Sequence, residues 1–153
     1  MMRIAAQWGT IAACLSSGCI EIEGGAAELS WSLRTFEGGR VGCADAQVDH
    51  VRLCWEPITD GSVGGETCRS GRSFMCADAS GVTGFDLAPG PTAFWIEPIC
   101  ADGQPADAGT YQVPPPIVRS VEEGQIVSLN SLLMVVSLPA GECPAQGCTC
   151  MRP

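Results

Sequence analysis

Apolar and polar residues alternate from Leu29 onward. Leu29, Trp31 and Leu33 share one face, and Ser30, Ser32 and Arg34 share the other. Successive side chains of an extended chain point to opposite sides, so this pattern predicts a strand with one face in a core. A turn at Glu37-Gly38-Gly39 leads to a second strand, Val48 to Trp55, with Val51, Leu53 and Trp55 inward and His50, Arg52 and Cys54 opposite. Asp60-Gly61 and Gly64-Gly65 mark a loop, and Arg72 to Cys76 is a short strand centred on Phe74. Val82 to Leu87 places Phe85 and Leu87 on one face and stops at Ala88-Pro89-Gly90-Pro91, a strong turn signal. Thr92 to Cys100 is a long strand. Its Pro98 has no N–H to give a ladder, which implies an edge or a bulge. Beyond a loop from Ala101 to Gly109 come Tyr111 to Val113, a triple proline, Ile117 to Val121, a turn at Glu122-Glu123-Gly124, Ile126 to Leu129, and Leu132 to Leu138. Roughly seven to nine short strands at close spacing predict an all-β fold, a single antiparallel β-sandwich of Greek-key type.

The first nineteen residues have a different pattern. A lone Arg3 precedes an apolar stretch from Ile4 to Leu15, followed by Ser16-Ser17-Gly18-Cys19. A positive start, an apolar run and small residues are the order of a secretory signal, and the run is short of the about 20 residues a spanning helix needs. Leu15-Ser16-Ser17-Gly18-Cys19 resembles a bacterial lipobox, in which the cysteine thiol takes a diacylglyceryl group. The resemblance implies that Cys19 is lipidated, with Cys14, after Ile11-Ala12-Ala13, as the rival site. Parity favours Cys19: of ten cysteines, eight then remain downstream, whereas Cys14 leaves an odd thiol. An ordinary cleaved signal or a buried N-terminal helix are the other readings. The expected organisation is a signal over 1–18, a lipid-anchored tether over 19–28, a sandwich over 29–138 and a Cys-rich tail over 139–153. The expected address is the bacterial cell envelope, facing the periplasm or the exterior.

Composition narrows the function. The net charge is −9, with seventeen acids and no lysine among eight basic residues. Such a surface disfavours nucleic acid, and the missing lysine removes Schiff-base and phosphate-loop chemistry. Gly and Pro make up about a fifth of the chain, which suits strands joined by turns. The eight cysteines Cys43, Cys54, Cys68, Cys76, Cys100, Cys143, Cys148 and Cys150 read as disulfide partners in an oxidising compartment. By position, Cys43 with Cys76 would staple two strand ends, and Cys54 could reach Cys68 or Cys100. The tail cysteines would pin the tail to the domain or close a small loop. Cys143, Cys148 and Cys150 also offer three sulfurs to a metal. However, there is no Cys-x-x-Cys and only one histidine, His50, so neither a metal nor a cofactor is expected.

No serine stands in a Gly-x-Ser-x-Gly context. Glu122-Glu123 reads as a charged turn, and the aspartates lack the calcium-loop spacing. No catalytic residue is predicted, and the chain is expected not to be an enzyme. Among the aromatics, Trp31 and Trp55 fall on core faces. Phe94 and Trp95 are adjacent and so point to opposite faces, which makes one of them a candidate ring platform for a glycan. Expected partners are the membrane, through the lipid, and an envelope protein or glycan.

The order of the tryptophan strand, Cys43-Ala44-Asp45-Ala46, the Val48–Trp55 strand, Phe74-Met75-Cys76, Leu87-Ala88-Pro89-Gly90, the aromatic strand and Val121-Glu122-Glu123-Gly124-Gln125-Ile126-Val127 is similar to the carboxypeptidase regulatory-like or transthyretin-like sandwiches. It also looks like lipoproteins of GC-rich bacteria built on that plan. The family's tyrosine after its Pro-Gly turn is replaced by Thr92. The resemblance spans about residues 29–138 and implies a non-enzymatic accessory, adhesive or sugar-facing module.

Overall fold

The computed structural model describes residues 22–59, 61, 67–106 and 111–136. Among the described residues nine strands follow one another: β1 (Ala26–Thr35), β2 (Arg40–Val41), β3 (Val48–Pro57), β4 (Gly71–Met75), β5 (Ser80–Val82), β6 (Gly90–Cys100), β7 (Tyr111–Gln112), β8 (Ile117–Val121) and β9 (Ile126–Val136). A 3₁₀ turn, Cys76–Asp78, separates β4 from β5. One sheet runs β2-β1-β9-β7, with β5 also paired to β1; the other runs β4-β3-β6-β8. The fold is therefore the disulfide-stapled all-β sandwich that the alternation predicts.

One pairing differs from the antiparallel expectation. β1 and β9 lie parallel, from Ala26 opposite Ile126 to Thr35 opposite Val136. Antiparallel order is enforced where a tight turn joins two strands, but these two are separated by the rest of the domain. Their relative direction is set by how often the chain crosses between sheets, which no local signal records.

The core lies between the sheets. Leu29, Trp31 and Leu33 of β1 and Leu129, Leu132 and Met134 of β9 face Val51, Leu53, Phe94 and Ile96 of the other sheet. Leu53, Phe94, Ile96 and Leu129 are all but fully enclosed, and each such burial contributes about 1.5–3 kcal/mol. The two strands expected over Ile126–Leu129 and from Leu132 onward are, over the described residues to Val136, one strand interrupted by a bulge. Glu28 pairs with Ser128 and Ser30 with Ser131, so Leu129 and Asn130 together oppose Leu29. Asn130 takes φ 62°, a left-handed conformation that Asn tolerates better than most residues. The extra residue shifts the alternation, which is how Leu129 and Leu132 both reach the core.

Three boundaries differ from expectation. Residues 24–28 are the start of the sandwich rather than a free tether. Gly25 is buried and forms a bridge to Leu87, and β1 begins at Ala26. A side chain on Gly25 would lie 2.5 Å from the Glu122 carbonyl oxygen and from Val121 Cγ1. Its small size serves close packing here, not flexibility. Val82 to Leu87 is not a strand: β5 ends at Val82, Phe85 is exposed, and Leu87 is buried. Between them Thr83 turns inward. Its hydroxyl accepts from the Ala27 N–H and donates to the Gly84 carbonyl, which holds the segment irregular. β7 is only Tyr111–Gln112.

Pro98 sits where β8 no longer covers β6, because β8 pairs only with Gly90–Phe94. The β3–β6 register also slips between Val48 and His50. Beyond β8 that side of β6 is met only by the short 104–106 segment, whose Ala106 N–H donates to the Pro98 carbonyl, so the proline sits beside an irregularity in a pairing that asks no N–H of it. No helix among the described residues is long and apolar enough to cross a membrane. The expected signal, Cys19, Cys14, and the tail with Cys143, Cys148 and Cys150 lie outside the described residues.

Candidate functional site

The strand directions give the sandwich two distinct ends. At one, β1 and β9 begin together, Gly25 meets Leu87, and Gly90 pairs with Val121. At the other are the β1–β2 hairpin, the turn over 43–47, and the end of β6, where Cys100 pairs with Val48. Tyr111 ties that second end together. It pairs with Val136 at the end of β9, and its hydroxyl donates to the Ala46 carbonyl in the 43–47 turn. We call this the turn end.

Two of the expected staples are closed. Cys43 is bonded to Cys76 and Cys54 to Cys68. The first joins the turn before β3 to the 3₁₀ turn after β4. The Trp31 indole N–H donates to the Cys76 carbonyl at 3.0 Å, which locks that turn to β1 across the core. The second spans β3 and the loop before β4, on the same face as Trp95, the cross-strand neighbour of Cys54. Cys100 is also disulfide-bonded. Glu97 lies near the Cys54 and Cys68 sulfurs in a metal-like grouping, but both sulfurs are committed to their bridge and carry no thiolate charge to offer a metal.

The ring platform is not formed by the aromatic pair. Phe94 is 1% and Trp95 5% exposed, so neither offers a face to a sugar. Adjacent strand residues do point to opposite faces, as expected. What the pattern did not disclose is that the outer face of β6 is covered too, with Ala93, Trp95 and Ile99 all buried. The Trp95 indole N–H is enclosed there without a hydrogen-bond partner. Trp31 is buried and Trp55 packs partly buried against the core, both as predicted.

The most exposed aromatic among the described residues is instead Phe36, 77% accessible at the tip of the β1–β2 hairpin, with Phe85 less so. Alternation does not find such a residue, because a turn has no inner face; its signal is a large apolar ring beside Glu37-Gly38-Gly39. Two shallow depressions accompany it. One, about 440 Å³, lies at the turn end among Cys43, Gln47, Asp49, Cys100 and Asp102. The other, about 450 Å³, lies on the outer face of the first sheet beside the β9 bulge, among Ser30, Ser80, Ser128, Asn130 and Ser131. The second is lined by serine hydroxyls, the Asn130 amide and the Glu28 carboxylate, which can donate and accept hydrogen bonds.

Titratable groups are spread along the surface. His50 Nδ1 contacts Asp49 at 2.7 Å, both partly exposed on β3. Arg52 lies 3.7 Å from Glu97 on the outer face of the second sheet. Exposed pairs of this kind contribute about 0–1 kcal/mol. A triad would need a serine within hydrogen-bond reach of the histidine, and the hydrogen bonds among the described residues place none there. Comparisons with family models, with curated proteins and with solved structures find no match.

Proposed function

We propose that this chain is an exported, lipid-anchored module of the cell envelope with a structural or binding role and no catalytic one. The observation that carries the reading is the set of closed disulfides: five of the described cysteines are bonded. Disulfides persist in oxidising compartments and are rare in the cytosol, which fits an export signal over residues 1–18. The two-sheet sandwich fits the carboxypeptidase regulatory-like or transthyretin-like plan, and with it an accessory rather than catalytic part.

The ends of the sandwich give the proposal a direction. A lipid on Cys19 lies five residues before Gly24, so it would hold the end where β1 begins close to the bilayer. The turn end, with Phe36 and the Asp49–Asp102 depression, would then point away and meet an envelope protein or glycan. The exposed ring favours a partner with an apolar face, since exposed apolar surface at a rim of polar groups marks contact sites.

Cell fractionation of wild type and Cys19→Ser tests the anchor. Wild type is expected in the membrane fraction and released by detergent, and Cys19→Ser in the soluble fraction. Continued membrane association of the variant overturns the lipid anchor.

A further inference from the structure

We infer that the segment after Val136 is stapled back onto the turn end of the sandwich by a disulfide between Cys100 and one of Cys143, Cys148 and Cys150. Cys100 is bonded and only 2% exposed. The other four described cysteines bond one another. Its partner is therefore among Cys14, Cys19, Cys143, Cys148 and Cys150.

Geometry separates these candidates. β9 ends at Val136, opposite Tyr111, whose hydroxyl reaches Ala46 in the turn beside Val48 and Cys100. The chain thus leaves β9 at the end where Cys100 lies. Seven residues from Val136 to Cys143 span up to about 24 Å when extended, against about 10 Å between packed sheets. The N-terminal side starts from the opposite end, because Ala26 pairs with Ile126. A strand of eleven residues such as β9 is roughly 35 Å long at about 3.3 Å per residue. Cys19, five residues before Gly24, reaches about 17 Å, half that length. Cys14 reaches only with the whole of 14–24 stretched along the sandwich.

Two thiols give up two protons and two electrons to the disulfide of an oxidoreductase, which leaves as a dithiol by thiol–disulfide exchange. In the anchored orientation proposed above, the stapled tail belongs to the end away from the bilayer; the staple itself does not depend on that orientation.

Digestion of the unreduced full chain with trypsin reads the pairing. Arginines are its only cleavage sites, and they place Cys100 in 73–119, the tail cysteines in 120–153, and Cys14 and Cys19 in 4–34. Fragments 41–52, 73–119 and 120–153 are expected to travel as one disulfide-linked species in mass spectrometry, 41–52 held through Cys43–Cys76 and 120–153 through Cys100, from protein that is monomeric on a non-reducing gel. Release of 120–153 without reductant, or linkage of 73–119 to the fragment holding Cys14 or Cys19, overturns the inference. Cys100→Ser provides the second readout: a tail thiol becomes alkylatable while the Cys43–Cys76 and Cys54–Cys68 pairings persist. Complete protection of the tail in that variant also overturns it. Neither readout depends on membrane attachment, so failure here is distinct from failure of the lipid anchor.

Discussion

The Cys43–Cys76 bridge closes a sequence separation of 33 residues and offers a quantitative test of what staples this sandwich. In the chain-entropy description, a cross-link removes from the unfolded ensemble an entropy that grows with the logarithm of loop length. For this loop the loss corresponds to about 3.7 kcal/mol at 25 °C, and for Cys54–Cys68, separated by 14 residues, to about 3.0 kcal/mol. The perturbation is the paired replacement Cys43→Ala with Cys76→Ala, which leaves no unpaired thiol. It also leaves the Cys76 carbonyl in place to accept the Trp31 indole N–H. With an unfolding entropy of about 2.1 cal/mol/K per residue, a domain of about 110 residues should lose roughly 15 °C in Tm. Urea denaturation followed by tryptophan fluorescence gives the free energy directly, and near-UV circular dichroism checks that Trp31 keeps its packing. A loss below about 1 kcal/mol would refute the entropic account, because segment 43–76 would then be constrained in the unfolded chain without the bridge. So would a loss for the shorter Cys54–Cys68 loop that exceeds that for the longer one by more than about 1 kcal/mol.

Two further substitutions test the packing argument. Gly25→Ala should cost about 1–3 kcal/mol in chemical denaturation, since its methyl would meet the Glu122 carbonyl and Val121 at 2.5 Å; an unchanged midpoint would mean that Gly25 is small for another reason. Thr83→Val keeps the side-chain shape but leaves the buried Ala27 N–H, held at 2.9 Å by the Thr83 hydroxyl, without an acceptor. A loss of about 1–3 kcal/mol is expected, with faster amide exchange at Ala27, and exchange as slow as in wild type would count against it.

Much of the fold is legible in the residues because strand alternation is local. Val51, Leu53 and Trp55 are spaced by two, so they share a face wherever β3 lies, and the pattern reports that face directly. Cys43 with Cys76 was likewise readable, as a staple between two strand ends, whereas the sequence left Cys54 open between Cys68 and Cys100 and the structure joins it to Cys68. The candidate site was less legible. Phe94 and Trp95 suggested a surface ring because adjacent strand residues diverge, yet burial of the outer face depends on what packs over it. Phe36 carried no periodic signal at all. The segment 24–28 read as flexible because small residues permit motion, and the same smallness equally permits contact.

Residue type and near neighbours alone fix the strand periods, the turns, the acidic lysine-free composition and a cysteine set suited to disulfides. Only the tertiary structure decided that β1 and β9 run parallel, that the bulge at Asn130 re-aims β9, that both faces of β6 are covered and that Cys100 and the end of β9 share one end of the sandwich. Those features depend on which distant segments meet, and a side chain's fate there is set by its partner across the core rather than by its own chemistry.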